Sequence, residues 1–527
     1  MKLVKTNARG FSHEMLLIAI VLVVAVVGVA HMVASRADSS TPASPVVSSS
    51  SLGGARPGPN GGLQIPQSLV QSKDLSALRR QLGNPGGTNT QSTSIPQDAV
   101  KQDLMHNGLN SAQADNYTSL INKSSGVVDD LHKTLGGNYA GSWLDQSTQK
   151  LHVDVVSDTG AEHSVLAKHG IDAQSQVDRK SFSYDKLTAD QNSLASSLSK
   201  YIQAGQVQLS IDDKDNTIDV KVAKDTPASA SAQINQAVNA DPDTTQMNVA
   251  ATSLSAKPPA ADGRCLWYGW ATGCTAGYDT GGSSIVADGT VYVNGQPYYA
   301  TSCSLGFYGY RQTSAGTEID ILTAGHCLAA NSAAGSANWD IPIWTDKGGN
   351  WVYNGLTRVG YQNLSMQNQY GDFGLIKVTN STALAAIFHP ATAFWGISSG
   401  GGNWYPPVDA STIKNGPLAQ NTPVCHTGLT TLFTCGHVTS TSAVFAEPGI
   451  PSNMTGVETS MCVLHGDSGG PVVASTPGHA WDEAVGIVSQ VSYYNNSCAK
   501  GNWDNGDTFY SDVRYPAFFW GWKPAGS

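Results

Sequence analysis

The sequence predicts an all-β C-terminal domain over residues 256–527, an α+β unit over 96–255 ahead of it, and a hydrophobic helix near the N-terminus. Three observations carry that reading. Beyond residue 256 the apolar residues come in short runs broken by Gly, Asn and Pro, with helical spacing only near 380–388. All eight cysteines fall between Cys265 and Cys498. That distribution suits disulfides in an oxidising compartment. A zinc site would need spaced ligand pairs, and the nearest, Cys425-His426, is adjacent with no second pair to match it. Between 96 and 255, helical spacing alternates with hairpin patterns and cysteine is absent.

Length and charge set the outer bounds. A chain of 527 residues exceeds one ordinary core, so two or more domains are expected. Asp and Glu outnumber Lys and Arg by 40 to 30, and no basic stripe stands out, which argues against a nucleic-acid partner. Few charges and 55 glycines suit a loop-rich exported β protein.

Residues 1–37 read as a signal peptide or membrane anchor. Lys2, Lys5 and Arg9 precede an apolar stretch over 15–34, long enough to span a bilayer. Positive charge before the span sends the remainder outward. Cleavage after Ala37 fits a signal peptidase, and the start also resembles a prepilin cut after Gly10; each version exports the rest. Residues 38–95 are rich in Ser, Pro, Gly and Gln, a composition that cannot bury a core, so a disordered linker is expected, with a short helix at 74–82.

The α+β unit follows. Leu104, Leu109, Leu120, Ile121, Val127, Val128 and Leu131 have helical spacing. "YAGSWLDQSTQKLHVDVVS" reads as a hairpin turning near 146–149, and "AGQVQLSIDDKDNTIDVKVAKD" as a second turning at Asp213–Asn216, with a helix over "DKLTADQNSLASSLSKYIQAG" between them. Past 256, "GTVYVNGQPYYATSCSLGFYGY", "EIDILTAGHC", "GDFGLIKV" and "EAVGIVSQVSYY" are strand-like, as expected of a barrel or sandwich.

Three segments of the β domain converge on one chemistry. "ILTAGHC" puts His326 just after an apolar strand, "YGDFGLIKV" puts Asp372 at the start of another, and "GDSGGP" holds Ser468. Acyl transfer by a serine needs a base for the hydroxyl proton, a carboxylate to fix that base's tautomer, and backbone N–H groups for the oxyanion. Ser468 is that serine, His326 the base and Asp372 the carboxylate, and the N–H groups of Gly466 and Ser468 form the oxyanion site. Asp340 and Asp346 lie in the same interval as Asp372; the strand that follows Asp372 favours it. The constellation requires no metal and no cofactor.

These motifs resemble those of the chymotrypsin-like serine proteases, in the order His, Asp, Ser of that family. The resemblance sharpens toward the bacterial streptogrisin and alpha-lytic protease branch: "VCHTGLTTLFTCG", "CSLGF…TAGHC" and "CVLHGDSGGP" are similar to segments of that branch, and "YAGSWLDQSTQKLHVDV" to its pro-region. The resemblance implies a serine endopeptidase acting on protein or peptide substrates, built as two six-stranded antiparallel β-barrels with the site between them. It implies bridges Cys303–Cys327, Cys425–Cys435 and Cys462–Cys498, leaving Cys265 and Cys274 to pair. It also implies that 96–255 is a pro-region that assists folding, inhibits the enzyme and is cut away, with the cut between 250 and 283.

The chain departs from that branch in places. Where the branch carries an arginine after the first cysteine of "VC…TCG", this chain has His426. Protonated, His426 would pair with Asp467 and keep the oxyanion site formed. Ser460 stands at the base of the specificity pocket, where trypsin-like members carry Asp; Ser489, Gln490 and Val491 form its wall, and Thr508 faces it. Small or medium apolar side chains are therefore expected before the scissile bond. Glutamate specificity, which in a sub-branch goes with a histidine in this strand, is disfavoured because Val488 stands there. The expected product is an exported endopeptidase made as a zymogen, at the cell surface or released. The alternative is an inactive protease fold serving as a surface adhesion or pilin-like protein.

Overall fold

The computed structural model describes most of residues 101–249 and, C-terminal to them, 284–287, 290–293, 296–299, 302–329, 338–346, 351–380, 412–413, 417–428, 432–446, 452–463, 467–476, 479–491 and 508–524, besides two-residue strands at 56–57 and 63–64. The expected helices at 15–34 and 74–82 and, past Asn380, the helical spacing near 380–388 lie outside the described residues, as do Gly466, Cys265, Cys274, Cys498 and the side chains of Gln490 and Val491. Among the described residues, no helix is long and apolar enough to cross a membrane.

Two lobes of similar element order make up 111–249. The first runs α1 (Ser111–Ser124), α2 (Val127–Leu135), β1 (Tyr139–Asp145), β2 (Lys150–Val155), α3 (Ala161–Lys168) and β3 (Ser175–Arg179). The second runs α4 (Tyr184–Ser197), α5 (Ser199–Gln203), β4 (Val207–Asp212), β5 (Thr217–Val222), α6 (Ala228–Val238) and β6 (Thr245–Val249). In each lobe a hairpin is followed by a helix and a strand parallel to the hairpin's second strand: β2 pairs with β3, and β5 with β6. A parallel partner needs a crossover, which α3 and α6 provide.

Local chemistry fixes these elements. Asn110 Oδ1 accepts the Gln113 N–H at 3.0 Å while Gln113 Oε1 accepts the Asn110 N–H at 2.9 Å, a reciprocal cap that starts α1. Ser183 caps α4 by accepting the Lys186 N–H at 3.2 Å. The helical spacing read from Leu104 to Leu131 divides at Gly126, and Leu109 lies outside both helices. The hairpins turn where Gln149 and Asn216 adopt φ near 55°. Asparagine tolerates that left-handed geometry better than most residues.

The C-terminal half is mostly β. One sheet has strand order β10-β7-β13-β14-β15-β12-β11-β23. These are Ser302–Ser304 (β10), Ser284–Ala287 (β7), Asn338–Asp346 (β13), Trp351–Asn368 (β14), Gly371–Val378 (β15), Gly316–Thr323 (β12), Tyr308–Thr313 (β11) and Lys523–Pro524 (β23). A separate hairpin joins β8 (Thr290–Val293) and β9 (Gln296–Tyr299). The short helix α7 (Gly325–Ala329) follows β12.

The other sheet has order β17-β20-β21-β22-β19-β18-β4-β5-β6. Its C-terminal members are Pro423–Gly428 (β17), Leu432–Phe445 (β18), Met454–Thr459 (β19), Pro471–Thr476 (β20), His479–Val491 (β21) and Thr508–Asp512 (β22). Thr412–Ile413 (β16) adds in parallel to β21. Because β17 pairs with β18 as well as β20, six strands close into a ring of pairings. The sheet then continues into the second lobe: Ala443 and Val444 of β18 pair with Ser210 and Leu209 of β4. The ion pair between Lys221 and the buried Glu458, and the Tyr184 hydroxyl on Thr441 Oγ1 at 3.1 Å, cross the same boundary.

Among the described residues, two short helices depart from the all-β expectation: α7 and one near the C-terminus. Arg514–Trp520 forms a helix, α8, ending at Gly521 with φ 64°. A seven-residue element containing Pro516 carries too few turns to show helical spacing.

Candidate active site

His326 sits at the second position of α7, held there by its neighbours. Its backbone N–H donates to Asp372 Oδ1 at 2.7 Å, and its ring Nδ1 lies 2.6 Å from Asp372 Oδ2. The approach needs Gly325: a Cβ there would stand 2.7 Å from the carbonyl oxygens of Met366 and Phe373 and 2.8 Å from Asp372 Oδ1. The Asp372 side chain is 0% exposed and that of His326 16%, so the carboxylate is dry while the ring keeps a face to solvent.

Two hydroxyls on the closed ring reach Asp372 at the start of β15. Ser489 Oγ donates to its Oδ2 at 2.9 Å, and Ser511 Oγ accepts its backbone N–H at 2.9 Å. A buried carboxylate is stable only when its lone pairs are satisfied. Here Asp372 takes bonds from the His326 backbone and ring and from Ser489, with Gln367 Nε2 further off at 3.5 Å. Sequence reasoning placed Ser489 on the pocket wall and missed Ser511. Both contacts depend on the register of β21 and β22 across the site, which no local pattern encodes.

Ser468 occupies a tight turn between the buried Asp467 and Gly469, whose φ is 85°. A Cβ on Gly469 would stand 2.0 Å from Thr323 Oγ1 and 2.5 Å from the Ser304 carbonyl, so glycine is required there for space as well as for conformation. The Ser468 carbonyl accepts the Ser304 N–H at 2.7 Å, Gly469 N–H donates to the Val488 carbonyl at 2.8 Å, and Gly470 N–H to the Asp467 carbonyl at 2.9 Å. Cys303 and Cys327 are disulfide-bonded. The Ser468 carbonyl is 3.9 Å from Cys327 Sγ, and His326 Nε2 is 3.8 Å from the same sulfur. The serine turn and the histidine therefore meet at one disulfide. Cys303, His326 and Cys327 cluster as metal ligands would, but the two sulfurs are bonded to each other and offer no thiolate.

The remaining expected residues fall nearby. Cys425 and Cys435 are bridged, and Cys462 is disulfide-bonded. Ser460 Oγ accepts the His437 N–H at 2.8 Å. Thr508 is fully buried and its hydroxyl donates to the Met461 carbonyl at 2.6 Å, so it offers shape more than a free hydrogen-bonding group. Gln490 and Val491 pair with Phe509 and Thr508. His426 and Asp467 are both 0% exposed. Two positions beyond His426 on β17, a Cβ on Gly428 would stand 2.3 Å from Asp467 Oδ1. Residues i and i+2 of a strand share a face, so the Asp467 carboxylate lies along the face that His426 occupies.

Comparison with known proteins gives the chain's relatives. Residues 292–515 match the Trypsin family model. The chain is similar to Streptogrisin-D of Streptomyces griseus, 23% identical over 385 residues that cover 73% of this chain and 75% of the relative. A match that long cannot be contained within 256–527, so the likeness runs into the α+β unit. Among solved structures, one described as a glutamic acid-specific serine protease utilizing a novel histidine triad in substrate binding is 22% identical, covering 46% of this chain and 98% of its own, with a TM-score of 0.28. The family match and the streptogrisin relative together support a chymotrypsin-like serine endopeptidase of the streptogrisin branch.

Proposed function

We propose that the chain is the zymogen of an exported endopeptidase in which His326 acts as base and then acid, Asp372 orients it, and Ser468 forms the acyl-enzyme. The single observation that carries this reading is the 2.6 Å contact between His326 Nδ1 and the buried Asp372, beside the turn that presents Ser468. With Nδ1 engaged, Nε2 is the nitrogen left to take a proton from the hydroxyl. The N–H groups of Gly466 and Ser468 hold the oxyanion. The closed ring of β17–β22 supports a six-stranded barrel, with the β7–β15 sheet as the wall of a second one.

Residues 96–255 act as the pro-region, inhibiting the enzyme and aiding its folding until removed between 250 and 283. The sheet shared by β4 and β18 supports this, as does the extent of the streptogrisin match. The pocket, with Ser460 at its base and Val488 where a glutamate-reading histidine would stand, takes small or medium apolar side chains.

A fluorophosphonate probe on the matured protein tests the reading. Native enzyme is expected to label at Ser468 and denatured enzyme not to. Ser468→Ala is expected to lower kcat by about 10^6-fold. N-terminal sequencing of the labelled product should begin between 250 and 283, and a peptide panel should show fastest cleavage after Ala, Val or Leu. A folded protein that never labels would be the inactive surface protein instead.

His426 is the positioning residue for the oxyanion site in this proposal. As imidazolium it pairs with Asp467, so activity declines as pH rises through the histidine's titration. His426→Arg is expected to keep kcat and remove that decline, and a profile identical to the parent's would discard the assignment.

A further inference from the structure

The tip of the β4–β5 hairpin is where both lobes and the catalytic half meet. Asp213, at that tip, is 1% exposed. Against the first lobe, it packs on Gly141 of β1, where φ is 140° and a Cβ would stand 3.0 Å from the Asp213 Cβ. Next to it, Asn216 Nδ2 donates to the Ala140 carbonyl at 3.3 Å and the Phe182 carbonyl at 2.9 Å. Against the catalytic half, Thr441 Oγ1 lies 3.3 Å from both Asp213 oxygens. Gln420 brackets the same tip: its Oε1 accepts the Lys214 N–H at 3.0 Å and its Nε2 donates to Asp212 Oδ1 at 3.3 Å.

A second buried acid stands close by. Asp154 on β2 is 0% exposed, and neither of its carboxylate oxygens has a hydrogen-bond partner. The charge facing it is Lys180 Nζ, 3.7 Å from Oδ2, an ammonium that also bonds the Lys214 carbonyl. The other ionisable groups around the pair add negative charge or none. Asp178 and Asp212 are carboxylates, and Tyr139 and Tyr184 are phenols whose titration burial drives upward. From the catalytic half, a neutral hydroxyl, Thr441, meets Asp213; Arg514 acts across Tyr184 but is held by Asp512 at its own carboxylate.

We propose that Asp213 and Asp154 form a proton-operated latch between the α+β unit and the catalytic half, holding the two together when protonated and loosening them when ionised. Two carboxyls in one dry site cannot both carry charge cheaply. Burial, with the charge of its neighbours added, pushes Asp154 up to about 8 and Asp213 well above the ordinary carboxylate range. An exposed aspartate titrates near 4. Asp213 loses the Thr441 side of its burial when the catalytic half leaves, so the docked state binds more protons than a released one. Its stability is fully present below pH 4 and is lost as pH rises toward 8 and beyond, by up to about ten-fold per pH unit for each group. A zymogen held closed in acid and opened as pH rises follows from that sign.

The inference rests on reading 96–255 as a removable pro-region, which cleavage and sequencing test; the latch is tested in a chain that cannot cleave itself, so the two fail separately. Amide hydrogen exchange is measured on full-length Ser468→Ala at pH 5 and pH 8.5, as protection factors so that the intrinsic pH dependence cancels. Leu209 and Val444 report the shared sheet, and Leu375 of β15 the catalytic half. Protection at the shared sheet should fall at least ten-fold between the two pH values while Leu375 stays protected. In Asp154→Asn/Asp213→Asn the fall should shrink to under three-fold. If the double variant does not fold, Asp154→Asn alone retains the Asp213–Thr441 contact and must still flatten the slope. A flat profile in the parent chain, or an undiminished one in the folded variant, overturns the latch.

Discussion

The two lobes of the α+β unit share an element order and differ in how they hold the catalytic half. The second lobe extends a sheet: β4 pairs with β18, and Val444 and Ala446 of the catalytic half join the lobe's own apolar core with Leu187, Ile202, Leu209 and Ile234. Among the described residues, the first lobe pairs with the catalytic half through an isolated bridge at Gln420, while its apolar residues, Leu120 and Leu131 among them, share one core cluster with Ala419 and Val473. Gln420 exchanges backbone bonds with β1, donating to the Ser142 carbonyl at 2.9 Å and accepting the Leu144 N–H at 2.9 Å. Asn421 adds a side-chain bond to the Leu144 carbonyl at 2.9 Å. The same small fold is thus fixed by strand addition on one side and, on the other, by a shared apolar core around an isolated bridge. Strand addition satisfies a sheet edge as well as burying apolar side chains, whereas the bridged lobe combines its apolar burial with few backbone bonds. The second lobe should therefore carry most of the backbone hydrogen bonding of the docked state, and the first should hold by apolar burial with the Gln420 bridge as a clamp.

Leu209 offers the largest way to break that contrast. It is 0% exposed and lies at the pairing with Val444. Leu209→Ala is expected to cost about 3 kcal/mol, the lost burial plus the cavity left behind. Urea unfolding of full-length Ser468→Ala should show this as a lower midpoint, and yields of active enzyme from the cleavable chain should fall with it. A loss under about 1 kcal/mol would mean that the shared sheet is incidental and that the lobes are equals.

Much of this architecture was legible in the sequence, and the part that was not has a physical pattern. The hairpins at 139–155 and 207–222 alternate apolar and polar residues, so period 2 revealed them and their turns. The histidine and serine motifs stood out in the sequence partly through their glycines, since Gly325 and Gly469 are positions at which a Cβ would collide. The parallel strands β3 and β6 were missed: "SQVDR" and "TQMNV" are short and largely polar, and they sit at the ends of their pairing orders. The joining of β4 to β18 was missed because its partners lie more than 200 residues apart. For the same reason Ser489 was read as a pocket residue: only the folded register brings its hydroxyl to Asp372, 117 residues away. Local periodicity finds elements; which edges meet is decided by burial across the whole chain.

The sharpest test of the contrast is also its smallest effect, because Gln420 serves both lobes with different atoms. Its backbone holds β1 of the first lobe, and its side chain holds the hairpin tip of the second through Lys214, while Nε2 also donates to the Thr439 carbonyl at 2.9 Å. Gln420→Ala deletes the second set and leaves the first. Its cost should be about 1–2 kcal/mol, that of buried hydrogen-bonding groups left unpaired. The location of the loss matters more than its size. In amide exchange on full-length Ser468→Ala at fixed pH, Lys214 should lose protection while Leu144 keeps it, because the Leu144 N–H still meets a backbone carbonyl that no side-chain change removes. If both amides loosen together, the two lobes are gripped as one body, and the division between a strand-added anchor and a bridged clamp has no energetic reality. If only Lys214 responds, each lobe is held by its own atoms, and the hairpin tip beside Asp213 can open while the first lobe stays bridged.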